Sequence, residues 1–391
     1  MDVIIKFFNA IFGTVADMSW VQLVKMLVMF IIGGTLIYLA VKKDMEPSLL
    51  LPMGFGAILV NLPLSGAITQ VYPSGAEEGA LSVLFDAGIA NELFPLLLFI
   101  GIGAMIDFGP LLSNPKLLLF GAAAQFGIFF TLSLTCVVNM IFPGMFSIYD
   151  AASIGIIGAA DGPTAIFVAN FFNTKYLGAI IVAAYSYMAL VPIIQPPVIR
   201  AITSKKERLI RMPYEPKQIS KTVRILFPIV VTAIAGLVAP RSVALVGFLM
   251  FGNLLRECGV LNSLSETAQN VLANLITIFL GITIATKMQA DDFLTWGTLM
   301  IMALGLFAFI FDTVGGVLFA KFINLFSKKK INPMIGACGI SAFPMSSRVV
   351  HKMGLKEDPQ NFLLMHAAGV NVGGQIASVI AGGLILNLIV K

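Results

Sequence analysis

The stretch Gly155-Ile-Ile-Gly158-Ala-Ala-Asp161-Gly162-Pro163-Thr164-Ala-Ile-Phe167 places a carboxylate, three glycines and a proline inside an apolar segment long enough to enter a membrane. An ionisable side chain at mid-bilayer depth costs about 2.5–3.5 kcal/mol on insertion scales, so by default it marks an ion or proton site. The Gly162-Pro163 pair interrupts the helix and frees backbone carbonyls, the means by which transporters build cation sites near the midplane. Asp before Gly-Pro is also an ordinary helix-capping position, and the two readings do not exclude each other.

The rest of the chain carries the same signature. Of 391 residues 58% are hydrophobic and 12% charged, with a mean hydropathy of +0.94, which excludes a soluble domain and describes an all-α polytopic membrane protein. The net charge of +5 is a topology signal and no nucleic-acid footprint. Lys42–Lys43, the run Arg200–Arg224 and Lys328–Lys330 are short basic loops beside apolar segments, which assigns them to the cytoplasm, whereas the acidic loop Ser65–Glu92 fits the outside. Val21–Val41, preceded by Lys6 and Asp17, reads as a signal anchor. Cys136, Cys258 and Cys338 lie in or beside apolar stretches without a CxxC pair and read as reduced packing residues.

Two landmarks recur at nearly one offset. Leu98-Phe-Ile-Gly101-Ile-Gly103 returns as Ile278-Phe-Leu-Gly281-Ile-Thr283, and the Gly155, Gly158, Pro163 spacing returns as Gly336, Gly339, Pro344. The chain therefore reads as two membrane repeats, 1–202 and 223–391, joined by a cytoplasmic linker, 203–222. Each repeat holds six apolar segments. The first has Val21–Val41, Leu49–Leu64, Leu93–Ile106, Leu117–Phe142, Ser153–Phe172 and Leu177–Ile199; the second has Val223–Ala239, Val243–Leu255, Val271–Ala285, Trp296–Phe322, Asn332–Val350 and Phe362–Val390. If all six crossed, Lys42–Lys43 and Arg200–Arg224 would fall on opposite sides. Treating the Gly/Pro-rich fifth segment as broken or re-entrant returns every basic loop to the cytoplasm. The reading is an inverted 5+5 transmembrane repeat with two broken elements meeting near the midplane.

In the second broken element Asp161 falls opposite Ala342, so one carboxylate serves both copies. Asn332, Ser341 and the carbonyls freed around Gly336 and Gly339 offer neutral oxygens, a donor set suited to a monovalent cation. Asn332 before Pro333 is in addition a capping position. Arg348 supplies a guanidinium able to grip a carboxylate bidentately, or a positive-inside anchor beside Lys352 and Lys356. Asp312 inside Trp296–Phe322 and Asn371 in the last segment are further polar candidates; His351 and His366 lack metal-ligand spacing.

At these residues the chain resembles the β subunit of the biotin-dependent, sodium-pumping decarboxylases of oxaloacetate, methylmalonyl-CoA and glutaconyl-CoA. The resemblance is carried by Gly158-Ala-Ala-Asp161-Gly-Pro-Thr164, by Tyr187 with Pro192 and Gln195-Pro-Pro, and by Asn332-Pro through Arg348-Val-Val. Ala159 departs from it, standing where a glycine is expected. The resemblance implies decarboxylation of carboxybiotin, delivered by a partner biotin carrier, coupled to outward Na+ movement and proton uptake in a prokaryotic inner membrane. It further implies Asp161, Asn332, Gly336 and Ser341 as Na+ residues, Arg348 as the group that binds the carboxybiotin carboxylate, and Tyr187 and Ser341 in the proton path. Its partners would be a carboxyltransferase α subunit, the biotin carrier and a small membrane anchor subunit, around a homo-oligomeric core. The chain has no Met-Lys-Met acceptor, so no biotin is expected to attach to it. A stand-alone sodium symporter or cation/proton antiporter needs the same broken helices and the same Asp; a passive channel or scaffold accounts less well for a paired carboxylate and guanidinium.

Overall fold

The computed structural model describes residues 18–213, 218–342 and 344–389. Lys6 and Asp17, residues 214–217 of the linker, and Val390 at the end of the last apolar segment lie outside the described residues. The fold is built from helices: α1 (Trp20–Lys43), α2 (Pro47–Val60), α3 (Ala80–Phe85), α4 (Leu93–Met105), α5 (Leu118–Ala124), α6 (Phe126–Ile141), α7 (Ile148–Gly155), α8 (Gly162–Phe171), α9 (Leu177–Ala189), α10 (Val191–Ile202), α11 (Lys221–Val238), α12 (Val243–Glu257), α13 (Ala273–Ile284), α14 (Trp296–Phe326), α15 (Met345–Glu357) and α16 (Leu364–Leu388), with shorter turns between them. The loop between α2 and α3 adds one small antiparallel pair, β1 (Gln70–Tyr72) and β2 (Gly75–Glu77), which hydropathy alone does not disclose.

Among the described residues six helices are long and apolar enough to cross a membrane, or eight if each of two bent pairs is one span. An all-α polytopic membrane protein is therefore what the sequence folds into. The fifth segment of each half is broken, as the Gly/Pro pattern requires: α7 and α8 are separated by a 3-10 turn, Ile156–Ala159, and α15 is preceded by another, Pro333–Gly339. One segment departs from expectation. Leu177–Ile199 reads as a single span, but α9 and α10 meet at 70° around Leu190. Pro192, at the second position of α10, has no N–H to continue the ladder, and its ring would strike a carbonyl of the preceding turn.

The chain forms two compact units, each drawing on both halves of the sequence: the described part of Met1–Phe94 with Leu275–Leu299, and Pro95–Asn274 with Met300–Lys391. In the first, the Asn61 side chain donates to Met288 O and accepts from Ala290 N–H, both at 2.8 Å, and Lys25 pairs with Asp291 at 2.8 Å. Trp20 and Trp296, which open α1 and α14, are 76% and 79% exposed, the placement expected of an interfacial aromatic anchor.

The second unit holds both broken elements. Its centre is α16, whose residues from Ala367 to Leu386 are largely buried although Asn371, Gln375 and Ser378 are among them. A helix buried on all sides in membrane is free to carry polar groups, because they face protein instead of lipid. By contrast α11 exposes Leu226, Ile229, Ile234 and Leu237, as a lipid-facing helix does. The basic linker is pinned at its start: Arg208 pairs with Glu357 at 2.8 Å and Arg211 with Asp358 at 2.5 Å. The Arg211 guanidinium holds the half-buried Asp358 carboxyl below its ordinary pKa.

Candidate functional site

The first broken element is entirely buried from Ala151 to Ala169. α7 opens on a capping box between Ser147 and Asp150, tightens into the 3-10 turn and stops at Ala160, whose φ of +50° is left-handed. Such a conformation costs a non-glycine residue about 1–3 kcal/mol and persists where the surroundings over-determine it. Asp161 follows in extended conformation and caps α8. Its Oδ1 accepts from the Thr164 N–H at 3.3 Å, and its Oδ2 from Thr164 Oγ1 at 2.8 Å. The negative charge thus lies at the positive end of the α8 dipole. Tyr185 closes the other side, its ring so near Gly162 that a Cβ there would lie 2.1 Å away.

The second broken element is organised by amides. Asn332 caps its 3-10 turn, with Oδ1 accepting from Met334 N–H at 3.1 Å. The turn leaves carbonyls without helical partners, and the sequence offers these as cation ligands. In the structure four of them accept from side-chain amides. Gln195 Nε2 donates to Ala337 O at 2.8 Å, Gln125 Nε2 to Gly339 O at 3.3 Å, and Asn371 Nδ2 to Cys338 O at 3.2 Å and Ile340 O at 2.7 Å. Buried carbonyls must be satisfied, and side-chain amides do it here. The acceptor capacity moves to the amide oxygens: Gln125 Oε1, Asn371 Oδ1 and Gln375 Oε1 are buried without hydrogen-bond partners among the described residues.

The two elements touch. Ser341 N–H donates to Ala159 O at 3.0 Å. Ser341 Oγ hydrogen-bonds to Ser378 Oγ, with Gly374 O as a second acceptor at 3.3 Å. Ser378 Oγ in turn donates to Asp161 Oδ2 at 3.0 Å, with Gln375 O equally near. Asp161 and Ser341, expected to cooperate, are therefore joined through one intervening hydroxyl. The cluster comprises one carboxylate, the hydroxyls of Thr164, Ser341 and Ser378, and two α16 carbonyls. It holds hard oxygens with a single negative charge, the chemistry of a monovalent-cation site. All three serines and threonines are at most 4% exposed.

The other expected site residues fall elsewhere. Asn332 directs Nδ2 to Arg208 O at 2.8 Å and Ile210 O at 2.9 Å, so both its polar atoms serve the cap and the linker and none reaches the Asp161 cluster. Gly336 lies back-to-back with Gly316 of α14; a Cβ on either would be 2.1 Å from the carbonyl of the other. Its place is close packing. The Tyr187 hydroxyl donates to Met302 O, and its ring lies against Gly305, tying α9 to α14. Arg348 is exposed in the first turn of α15 and, unlike Arg208 and Arg211, has no carboxylate within pairing distance among the described residues.

Ser378, Gln125 and Gln195 are not among the predicted site residues. A signal for Ser378 exists in the sequence. Asn371, Gln375 and Ser378 recur at i, i+4 and i+7, one polar stripe along an otherwise apolar helix.

Comparison with known proteins gives a consistent result. The sequence model of one family, described as Na+-transporting oxaloacetate decarboxylase beta subunit, matches residues 25–389. The methylmalonyl-CoA decarboxylase subunit beta of Propionigenium modestum is 49% identical over 378 residues, covering 93% of this chain and 94% of that one. The subunit of the same name from Veillonella parvula is 48% identical, covering 93% and 92%. The oxaloacetate decarboxylase beta chain 2 of Salmonella typhi is 45% identical, covering 93% and 94%.

Proposed function

Because the chain belongs to the family of Na+-transporting oxaloacetate decarboxylase beta subunits, we propose that it is the membrane subunit of a sodium pump that decarboxylates carboxybiotin and couples the reaction to outward Na+ movement with uptake of a proton. The observation that carries this reading is the hydroxyl-bridged cluster Asp161–Ser378–Ser341, buried where the two broken elements meet. Its single carboxylate balances the charge of one Na+, and the hydroxyls of Thr164, Ser341 and Ser378 supply neutral ligands. A buried carboxylate needs such a counter-charge. Asn332 and Gly336 act on the cation through the shape of the second element: Asn332 fixes the start of its turn, and Gly336 lets it approach α14.

Arg348 is the group proposed to hold the carboxylate of carboxybiotin, since it is exposed, has no ion-pair partner among the described residues and lies seven residues beyond Ser341 on the same element. A carboxylate drawn from water into a guanidinium grip departs as carbon dioxide when the N–C bond breaks and the ureido nitrogen takes a proton. Carbon dioxide and the N–H of biotin are the products, and one proton is consumed. Tyr187 is proposed to line the proton's route. The partners in this reading are a biotin carrier, a carboxyltransferase α subunit and a small membrane anchor subunit, around a homo-oligomeric core in a prokaryotic inner membrane. The acyl substrate belongs to the carboxyltransferase, in keeping with relatives of comparable identity named for different acids.

The test is sodium-dependent decarboxylation by the purified complex, with Na+ uptake into proteoliposomes measured alongside. Asp161→Asn is expected to abolish both; near wild-type activity in that variant would overturn the assignment. A rival secondary transporter predicts Na+-driven solute uptake by this chain without biotin partners.

A further inference from the structure

A second buried carboxylate stands apart from the cluster. Asp312, in the middle of α14, is 1% exposed. Its two oxygens are enclosed by glycines from two other elements: a Cβ on Gly127 of α6 would lie 2.2 Å from Oδ1, and one on Gly158 would lie 2.8 Å from Oδ2. Gly158 belongs to the 3-10 turn that leads into Asp161. The α5–α6 break at Gln125 is what makes room, exposing the first turn of a 16-residue helix to the carboxylate. The Ile128 N–H beside it donates to Gln125 O at 3.1 Å, and neither carboxylate oxygen closes a hydrogen bond of ordinary geometry with any described residue.

Among the described residues no cation pairs with it. α6 carries no charged residue; its titratable group is Cys136. On the α7–α8 element the acids are Asp161 and Asp150, and Asp150 is engaged by Ser147 and Thr174. On α14 the other ionisable group is Lys321, which pairs with Glu207 at 3.2 Å. Tyr187, against Gly305 of the same helix, donates to Met302. A carboxylate this isolated must bind something positive. A metal cation needs several oxygens around it, but the carboxyl of Asp312 is packed against the glycine backbone at 127 and 158 and the Ala308 methyl near Gly158. The ligand such a pocket accepts is a proton.

We propose that Asp312 is a proton-binding site of the membrane core, its carboxyl protonated when the Gly158 turn is closed on it and discharged when that element moves. The step is reversible binding of one proton to one carboxylate, with no other exchange. Its role in the pump, as the holder of the proton that counterflows against Na+, rests on the function proposed above.

The test is infrared difference spectroscopy of the intact complex in membranes across a pH titration. A protonated carboxylic acid absorbs apart from carboxylates and shifts in heavy water. The wild type is expected to show such a band at neutral pH, lost in Asp312→Asn and displaced in frequency in Asp312→Glu, so that either variant suffices if the other does not assemble. A spectrum in which neither substitution removes or moves any carboxylic-acid band would overturn the proposal and leave Asp312 as an ionised cap on α6. Failure of the sodium-pump reading is distinguishable: it appears as sodium-dependent turnover unchanged in Asp161→Asn and leaves the Asp312 band untouched.

Discussion

Replacing Ser378 by alanine isolates the contribution of the bridge. The substitution removes a hydroxyl that donates to Asp161 Oδ2 and links it to Ser341, while Asp161 keeps both contacts from Thr164 and Ser341 keeps Gly374 O as an acceptor. In the proposed occupied site the same hydroxyl is a neutral ligand of the cation, an interaction with a charged group on the scale of about 1.5–3 kcal/mol. With the remaining contacts in place the lower end applies, and about 1.4 kcal/mol corresponds to a tenfold change in an equilibrium constant. Ser378→Ala is therefore expected to raise the Na+ concentration for half-maximal decarboxylation by roughly tenfold, with maximal turnover falling far less. The assay is decarboxylation against Na+ concentration in the assembled complex, with thermal stability measured in parallel. A correctly assembled Ser378→Ala complex with unchanged Na+ dependence would refute the cluster as the cation site. A fall in stability alone would reduce Ser378 to a packing contact between α16 and the first broken element.

Other substitutions separate the remaining roles. Arg348→Ala is expected to weaken carboxybiotin turnover more than Na+ affinity; the opposite pattern in steady-state kinetics would reassign it to anchoring at the membrane surface. Gly336→Ala forces a methyl to 2.1 Å from Gly316 O, an overpacking expected to cost at least about 1–3 kcal/mol and visible as lost assembly or a lower melting temperature. Tyr187→Phe leaves Met302 O without its side-chain donor, which costs about 1–3 kcal/mol if that carbonyl is otherwise unsatisfied; turnover falling while stability holds would support its place on the proton route.

Much of the architecture was legible because it rests on local chemistry. Gly-Pro after Asp161 and Asn332 before Pro333 dictate breaks wherever the chain folds, and both breaks appear, each capped by that residue. Asp161 stood out as a candidate because a lone acid in an apolar segment has few uses. What the sequence withheld depends on which elements become neighbours. Asn332 turns toward Arg208 and Ile210 because the linker folds back over it. The carbonyls of residues 337–340 are satisfied by Gln125, Gln195 and Asn371, which lie on three other elements. Ser378 resembles any small residue in a membrane helix until the first broken element is laid against it. The bend at Leu190 is a matter of degree: Pro192 signals weakness, while Pro196 and Pro197 lie within α10 without ending it.

Capping and cation binding make competing demands on the same oxygens, and the competition suits a transport site. Asp161 Oδ2 is surrounded by two hydroxyls that donate to it. A serine or threonine hydroxyl can instead turn about its C–O bond and present a lone pair. With protons turned inward, the hydroxyls stabilise the carboxylate alone; turned outward, they would be ligands of the proposed cation, which would take over the charge. Ser378 and Ser341 each have an α16 carbonyl within reach for the proton turned away, Gln375 O at 3.0 Å and Gly374 O at 3.3 Å. Exchange between them reaches Ser341, which is also held by its N–H to Ala159 O on the opposing element. In the proposed mechanism occupancy at Asp161 is thereby tied to the contact between the two broken elements, the coupling a pump needs if a reaction at the Arg348 side is to change the affinity of a site it does not touch.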